Sequence, residues 1–168
     1  MYSRFFIVYR NTKMPINQEQ CENLKKHEGF MPRVYKCPAG KDSIAFGYNL
    51  EANPLNLSRQ EISSFYSSGI SEVRAEQLLK LCCNKIESQL QTKLDWYDDL
   101  DSNTQYVLIN MAYNLGVAGL LEFKKTLGLI KQGKYGEASI EMLNSRWAKQ
   151  VKTRATDLSR ILKTGKVR

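Results

Sequence analysis

Glu28 ends a short amphipathic run, stands directly before Gly29, and is followed closely by Tyr35, Cys37, Gly40, Ser43 and Gly47. The residues before it predict a helix. Asn17 suits an N-cap and Gln20 the returning arm of a capping box, while Ile16, Cys21 and Leu24 supply apolar positions at helical spacing. Lys25, Lys26 and His27 suit the negative end of the helix dipole, His27 as a helix-end cation, and Gly29 suits a left-handed cap. The dipole disfavours a negative charge on Glu28, and partial burial would disfavour it further. Both effects favour the acid form, which can deliver a proton to a leaving group near neutral pH. The alternative is a solvated glutamate at a helix end, and the residues that follow weigh against it.

Those residues predict a hairpin. The run 33–36 alternates like a strand, 37–42 is rich in turn residues, and 43–48 alternates again. A helix that ends against a hairpin forms one wall of a cleft. The segment 27–48 resembles the catalytic signature of phage-type lysozymes, the glycoside hydrolase family 24 muramidases that serve as endolysins of tailed phages. That signature is Glu, eight residues, Asp or sometimes Cys, five residues, Thr. Glu28, Cys37 and Ser43 match the spacing, with Cys and Ser at the second and third positions. The Glu-Gly pair, Tyr35 and Gly47 match as well.

The resemblance runs from about residue 15 to 168, through Leu100-Asp101, the apolar helix 106–116, and Arg146-Trp147 followed by Arg154-Ala155. It implies an α+β, mostly α, lysozyme-like fold: a small N-terminal β-hairpin lobe joined by a long helix to an all-helical C-terminal lobe. It also implies hydrolysis of the β-1,4 bond between N-acetylmuramic acid and N-acetylglucosamine in peptidoglycan. Arg154 matches the arginine that reaches across the cleft to the catalytic glutamate, against the alternative of a solvated helix charge. Tyr35, Tyr48, Tyr113, Asn114 and Arg146 are expected in supporting or substrate-binding positions.

Cleaving a glycosidic bond takes a proton donor and a group on the opposite face that handles water or the developing positive charge. Glu28 is the donor. Cys37 stands where a carboxylate is usual, and a thiol is mostly neutral near pH 7 unless a nearby positive charge lowers its pKa. A thiolate base or nucleophile and a looser role both stay open. Ser43 can orient the attacking water through its hydroxyl. Asp42 is the nearest other carboxylate, but neighbouring strand residues point to opposite faces, which sets it apart from Ser43.

Along the chain, residues 1–13 read as an N-terminal extension, 14–70 as the catalytic lobe, 71–93 as the interlobe helix and 94–168 as the helical lobe. The stretch 49–56 reads as a loop, and Ser58 with Glu61 as a capping box opening a short helix that Gly69 ends. Ser71 caps the long helix, where Val73, Leu78, Leu79, Leu81, Cys82, Ile86 and Leu90 keep helical spacing up to Leu94. Asp101, Thr126 and Gly133 delimit further helices, Ala138, Ile140, Met142 and Leu143 are apolar, and Gly165 is the final cap.

A chain of 168 residues with 42% hydrophobic content can form one or two compact lobes. No segment is long enough to span a membrane, and the apolar run 5–9 is shorter than a secretory leader requires. The expectation is a cytoplasmic protein, in host or bacterium, that reaches the wall after release through a holin. Cys21, Cys37, Cys82 and Cys83 lack metal-ligand spacing and read as reduced thiols, and His27 stands too isolated for a metal site. No metal, no cofactor and no obligatory protein partner is expected, and a monomer is. The net charge of +8 gathers late, at Arg146, Lys149, Lys152, Arg154, Arg160, Lys163, Lys166 and Arg168 against Asp157. Such a surface attracts polyanions. Peptidoglycan and its envelope fit. A dedicated nucleic-acid partner lacks any accompanying motif, and a wall-binding relative with weakened catalysis is the other alternative.

Overall fold

The computed structural model describes residues 15–167, so the expected extension at 1–13 lies outside the described residues. The capping box at Asn17 forms as expected: its side chain accepts from the Gln20 amide and the Gln20 side chain accepts from the Asn17 amide, each at 2.9 Å. Helix α1, Gln18–Glu28, buries Cys21 and Leu24 completely. Burial of a leucine of this kind contributes about 1.5–3 kcal/mol. Gly29 ends the helix at φ 71 and ψ 147. Its φ is positive, but the ψ is extended, which corrects the expected left-handed cap.

Strands β1 (Met31–Lys36) and β2 (Asp42–Ala45) pair antiparallel, with Tyr35 opposite Ser43. The expected strand over 43–48 is split. Ala45 and Gly47 take φ 62 and 78, the chain reverses at Phe46-Gly47, and Tyr48–Asn49 returns as β3 beside β2. The result is a three-stranded sheet in the order β1-β2-β3. Asn49, expected in a loop, belongs to its last strand.

Ser58 caps α2 (Arg59–Ser68) through the Glu61 amide, but the Glu61 carboxylate turns to Arg74 at 2.6 Å, so only half of the expected capping box forms. Helix α3, Glu72–Lys93, has 22 residues and therefore extends about 33 Å. Ala75, Leu78, Leu79, Cys83 and Leu90 form its buried face, whereas Val73 is exposed.

The helical lobe is built around α4, Ser102–Leu121, capped by Asp101. Tyr106 to Ala112 are consecutively buried, so this helix is enclosed on all sides. Gly116, at φ 75 and ψ 157, breaks it. Then follow α5 (Lys124–Lys131), α6 (Tyr135–Leu143), α7 (Arg146–Val151) and α8 (Thr153–Thr164), with α6 packed on α5 and α8. Thr126 is buried inside α5 and does not mark a boundary. Ile140 is exposed on α6, and Gly165 takes the left-handed cap of α8. The fold is α+β and mostly α, with a small sheet near the N-terminus, a long connecting helix and a helical C-terminal lobe. Among the described residues, no single helix is long and apolar enough to cross a membrane.

Polar side chains tie α1 to this helical lobe. The Gln20 amide group donates to the Ser102 carbonyl and the Asn103 side chain, and that of Asn23 donates to Asp157 at 2.7 Å. Helix α1 is thereby held at a junction with the start of α4 and with α8.

Candidate active site

Glu28 and Arg154, 126 residues apart, meet at this junction. Arg154 is buried, and its Nη1 donates to Glu28 Oε1 at 2.6 Å. Its Nε donates to Asn110 Oδ1 and its Nη2 to the Asn110 carbonyl, both at 2.9 Å. The negative helix end expected around Glu28 is thus opposed by a full positive charge. The other carboxyl oxygen, Oε2, lies against Gly47, where a β-carbon would stand 3.2 Å from it. Gly47 places no side chain against that oxygen.

The turn that carries Gly47 is clamped from three sides. The Phe46 ring packs on Phe30 with centroids 5.4 Å apart, Lys25 Nζ sits 5.7 Å above it, and the Tyr113 hydroxyl donates to the Phe46 carbonyl at 2.8 Å. Lys25, expected only as a helix-end charge, also pairs with Glu72 and Glu76 of α3.

Across the β1-β2 connection, Cys37 sits in the turn closed by its own amide on the Lys41 carbonyl at 2.9 Å. The thiol is held below its ordinary pKa, first by the Lys41 backbone amide and then by the Ala39 amide and the Ser43 hydroxyl. Hydrogen bonding from the turn supplies this shift, rather than the nearby positive charge considered from sequence. Ser43 is buried, its hydroxyl 3.4 Å from the Lys41 carbonyl. Tyr35, opposite Ser43, is pushed above its usual range by burial and by the charges of Glu28 and Cys37, which places it near both. Asp42 lies elsewhere, with its carboxylate held by Lys36 and the Tyr66 hydroxyl, each at 2.8 Å.

Glu28, Tyr35, Cys37, Ser43 and Arg154 therefore come together. A groove of about 370 Å³ opens beside them, with Gly47, Tyr48, Cys82, Ala112 and Tyr113 in its walls. Tyr48 is buried and its hydroxyl is used within the neighbouring loop, donating to Asn53 at 2.7 Å. The Cys82 thiol is pushed up to about 12 by burial and stays neutral. Asn114 accepts from the Trp147 indole at 2.8 Å, whereas Arg146 is exposed in a separate groove with Phe123 and Glu141.

His27 departs from the expected helix-end cation. Its ring is largely buried, with Nε2 3.2 Å from Asp157 Oδ2 and Nδ1 3.2 Å from Asn110 Nδ2. Burial and the Arg154 charge lower its pKa, so the ring is neutral at pH 7. Asn110 itself was given no role from sequence. Its signal was a polar side chain inside the apolar run 106–112, where a buried amide must find partners. Among the described residues, no group of three or more His, Cys, Asp or Glu converges to hold a metal ion.

Comparison with known proteins identifies the family. The phage lysozyme family model matches residues 25–161. "Probable T4-type lysozyme 2" and "Probable T4-type lysozyme 1" of Dictyostelium discoideum are each 31% identical over 157 residues, spanning 84% of this chain and 92% of their own length. The "Peptidoglycan hydrolase gp36" of Enterobacteria phage SP6 is 28% identical over 83 residues, 48% of this chain and 8% of that protein.

Proposed function

We propose, from the premise that this chain belongs to the phage lysozyme family and is a lysozyme-type peptidoglycan hydrolase, that it cleaves the β-1,4 bond between N-acetylmuramic acid and N-acetylglucosamine. The observation that carries this reading is the Glu28 carboxyl, gripped at Oε1 by Arg154 while Oε2 faces Gly47, which sets no side chain against it. In the protonated form, Glu28 gives its proton to the leaving glycosidic oxygen. The carboxylate left behind is then matched by the Arg154 guanidinium through a charge-assisted hydrogen bond.

Cys37 and Ser43 serve the opposite face of the sugar. The turn amides that lower the thiol pKa favour its thiolate form, and Cys37 handles the attacking water with the Ser43 hydroxyl beside it. Tyr113 lines the groove beside Gly47, and Tyr35 stands near Glu28 and Cys37. The producing cell keeps the enzyme inside until a membrane pore releases it to the wall, where cleavage lyses the host.

The test is release of reducing ends from purified peptidoglycan, with mass analysis of the fragments to identify the bond. Glu28→Gln keeps the shape of the carboxyl but cannot deliver the proton, so it should fold and release no reducing ends above background. Turnover by that variant at the wild-type rate would remove Glu28 as the donor.

A further inference from the structure

Behind the Glu28–Arg154 pair lies a set of buried polar groups whose hydrogen-bond directions are dictated from both ends. Arginine only donates and an ionised carboxylate only accepts. Arg154 Nε therefore requires Asn110 Oδ1 to face it, and the Asn110 amide group must point the other way. There it donates to the Tyr106 hydroxyl at 2.7 Å and to His27 Nδ1 at 3.2 Å. Tyr106 passes its own proton to Asn23 Oδ1 at 2.6 Å, and Asn23 donates to Asp157 at 2.7 Å. His27 must accept at Nδ1, so its proton is on Nε2, which faces Asp157 at 3.2 Å. Every bond runs from Arg154 toward Asp157, with no member free to reverse.

We infer that Asn110 and His27 are positioning residues, whose one-way relay through Tyr106 and Asn23 to Asp157 fixes the Arg154 guanidinium against Glu28. This rests on the assignment of Glu28 as proton donor. Flipping the Asn110 amide would set its NH2 against Arg154 Nε, two donors facing each other. A second proton on His27 forces that choice, because Nδ1–H would then oppose the same NH2. The groups facing His27 are Arg154 and Asp157 from α8 and the Asn110 amide from α4, with Arg160 beyond, which shares Asp157 at 2.6 Å. Burial keeps Tyr106 a neutral phenol, above its usual range. Arg154 and burial disfavour a charged imidazole, Asp157 favours it, and the first two prevail.

The chain has one histidine, so the relay can be observed directly in the full chain. Nitrogen-15 NMR should show the Nε2–H tautomer at pH 7.5 and a midpoint below the ~6.5 of a free imidazole. On soluble glycan fragments, kcat should fall as pH drops through that midpoint while KM holds. Asn110→Asp keeps the acceptors for Arg154 but offers His27 an acceptor in place of a donor. Its NMR midpoint should rise by about one unit or more, and kcat should no longer follow it. Asn110→Leu should lower kcat by about 10- to 100-fold, the scale of a misplaced group, with KM changed less than twofold. An Nδ1–H tautomer, a wild-type midpoint at or above ~6.5, or identical kcat profiles for wild type and Asn110→Asp would overturn the relay. The NMR readouts do not depend on turnover. Full activity of Glu28→Gln would therefore remove the donor assignment and leave the tautomer standing, whereas a wrong tautomer removes the relay alone.

Discussion

Removing the Arg154 guanidinium is the sharpest test of how the site is held. Arg154→Leu fills similar space but leaves the Glu28 carboxyl, whose side chain is only 14% exposed, without its partner. It also strips the acceptors Asn110 Oδ1 and the Asn110 carbonyl of their donors. Breaking one side of a buried pair costs about 3–5 kcal/mol, because a charge is left without compensation. In a domain of this size each kcal/mol moves Tm by about 2–4 °C, so the melting point should fall by roughly 6–20 °C. Urea unfolding should give the same loss with an unchanged m-value. Arg154→Lys keeps the charge but loses the fork, and should cost roughly half as much, since about 1–3 kcal/mol attaches to each buried acceptor left unmade. In a Glu28→Gln background the Arg154→Leu penalty should shrink by about 1–3 kcal/mol, because no carboxylate is stranded. A penalty below about 1 kcal/mol for Arg154→Leu in the wild-type background, typical of a solvated ion pair, would refute the reasoning.

Further expectations follow from the same geometry. Alkylating Cys37 should stop reducing-end release and Cys37→Ala should lower it by about 100-fold or more, the scale of lost acid–base help, while Cys37→Asp retains activity; full activity of Cys37→Ala would make the thiol dispensable. Gly47→Ala combines a φ of 78 with a contact to Glu28 Oε2 at 3.2 Å, so it should cost about 1 kcal/mol in stability and a larger share of activity; a crystal structure with an unmoved turn and wild-type turnover would count against it. Lysis of permeabilised cells should weaken as salt rises beyond ~0.15 M, where the Debye length is ~8 Å, and weaken further when Lys149, Lys163 and Lys166, all exposed, become Gln. Cleavage of a short neutral oligosaccharide should then change little, and equal loss on both substrates would tie the charge to the fold or the site.

Local rules recovered what local forces decide. The capping box of α1, the cap at Asp101 and the length of α3 depend on neighbours three or four residues away, and all were legible. The split at Phe46-Gly47 was not, because 43–48 alternates as a single strand would, and only the clamp from Phe30, Lys25 and Tyr113 shows why the chain reverses there. His27 was misread for a similar reason. Lys25-Lys26-His27 has the look of a solvated helix end, but α4 and α8 close over the ring and bring Asp157 and Asn110 to its two nitrogens. The junction of Glu28 and Arg154 was suggested by family resemblance, since no periodicity links residues so far apart. Asn110, Asn23 and Tyr106 had only their polarity inside an apolar surround to mark them.

The distance in sequence between Glu28 and Arg154 also has a meaning in time. Helix α1, the sheet and the Cys37 turn emerge from the ribosome early, yet the guanidinium that grips the acid arrives 126 residues later. At about 5–20 residues per second that interval is roughly 6–25 s. Throughout it, a nascent chain carries an acid without its clamp. On the proposed assignment of Glu28 as proton donor, completion of synthesis is a built-in safety catch: fragments that end before α8 should lack the Arg154 clamp and release no reducing ends from peptidoglycan.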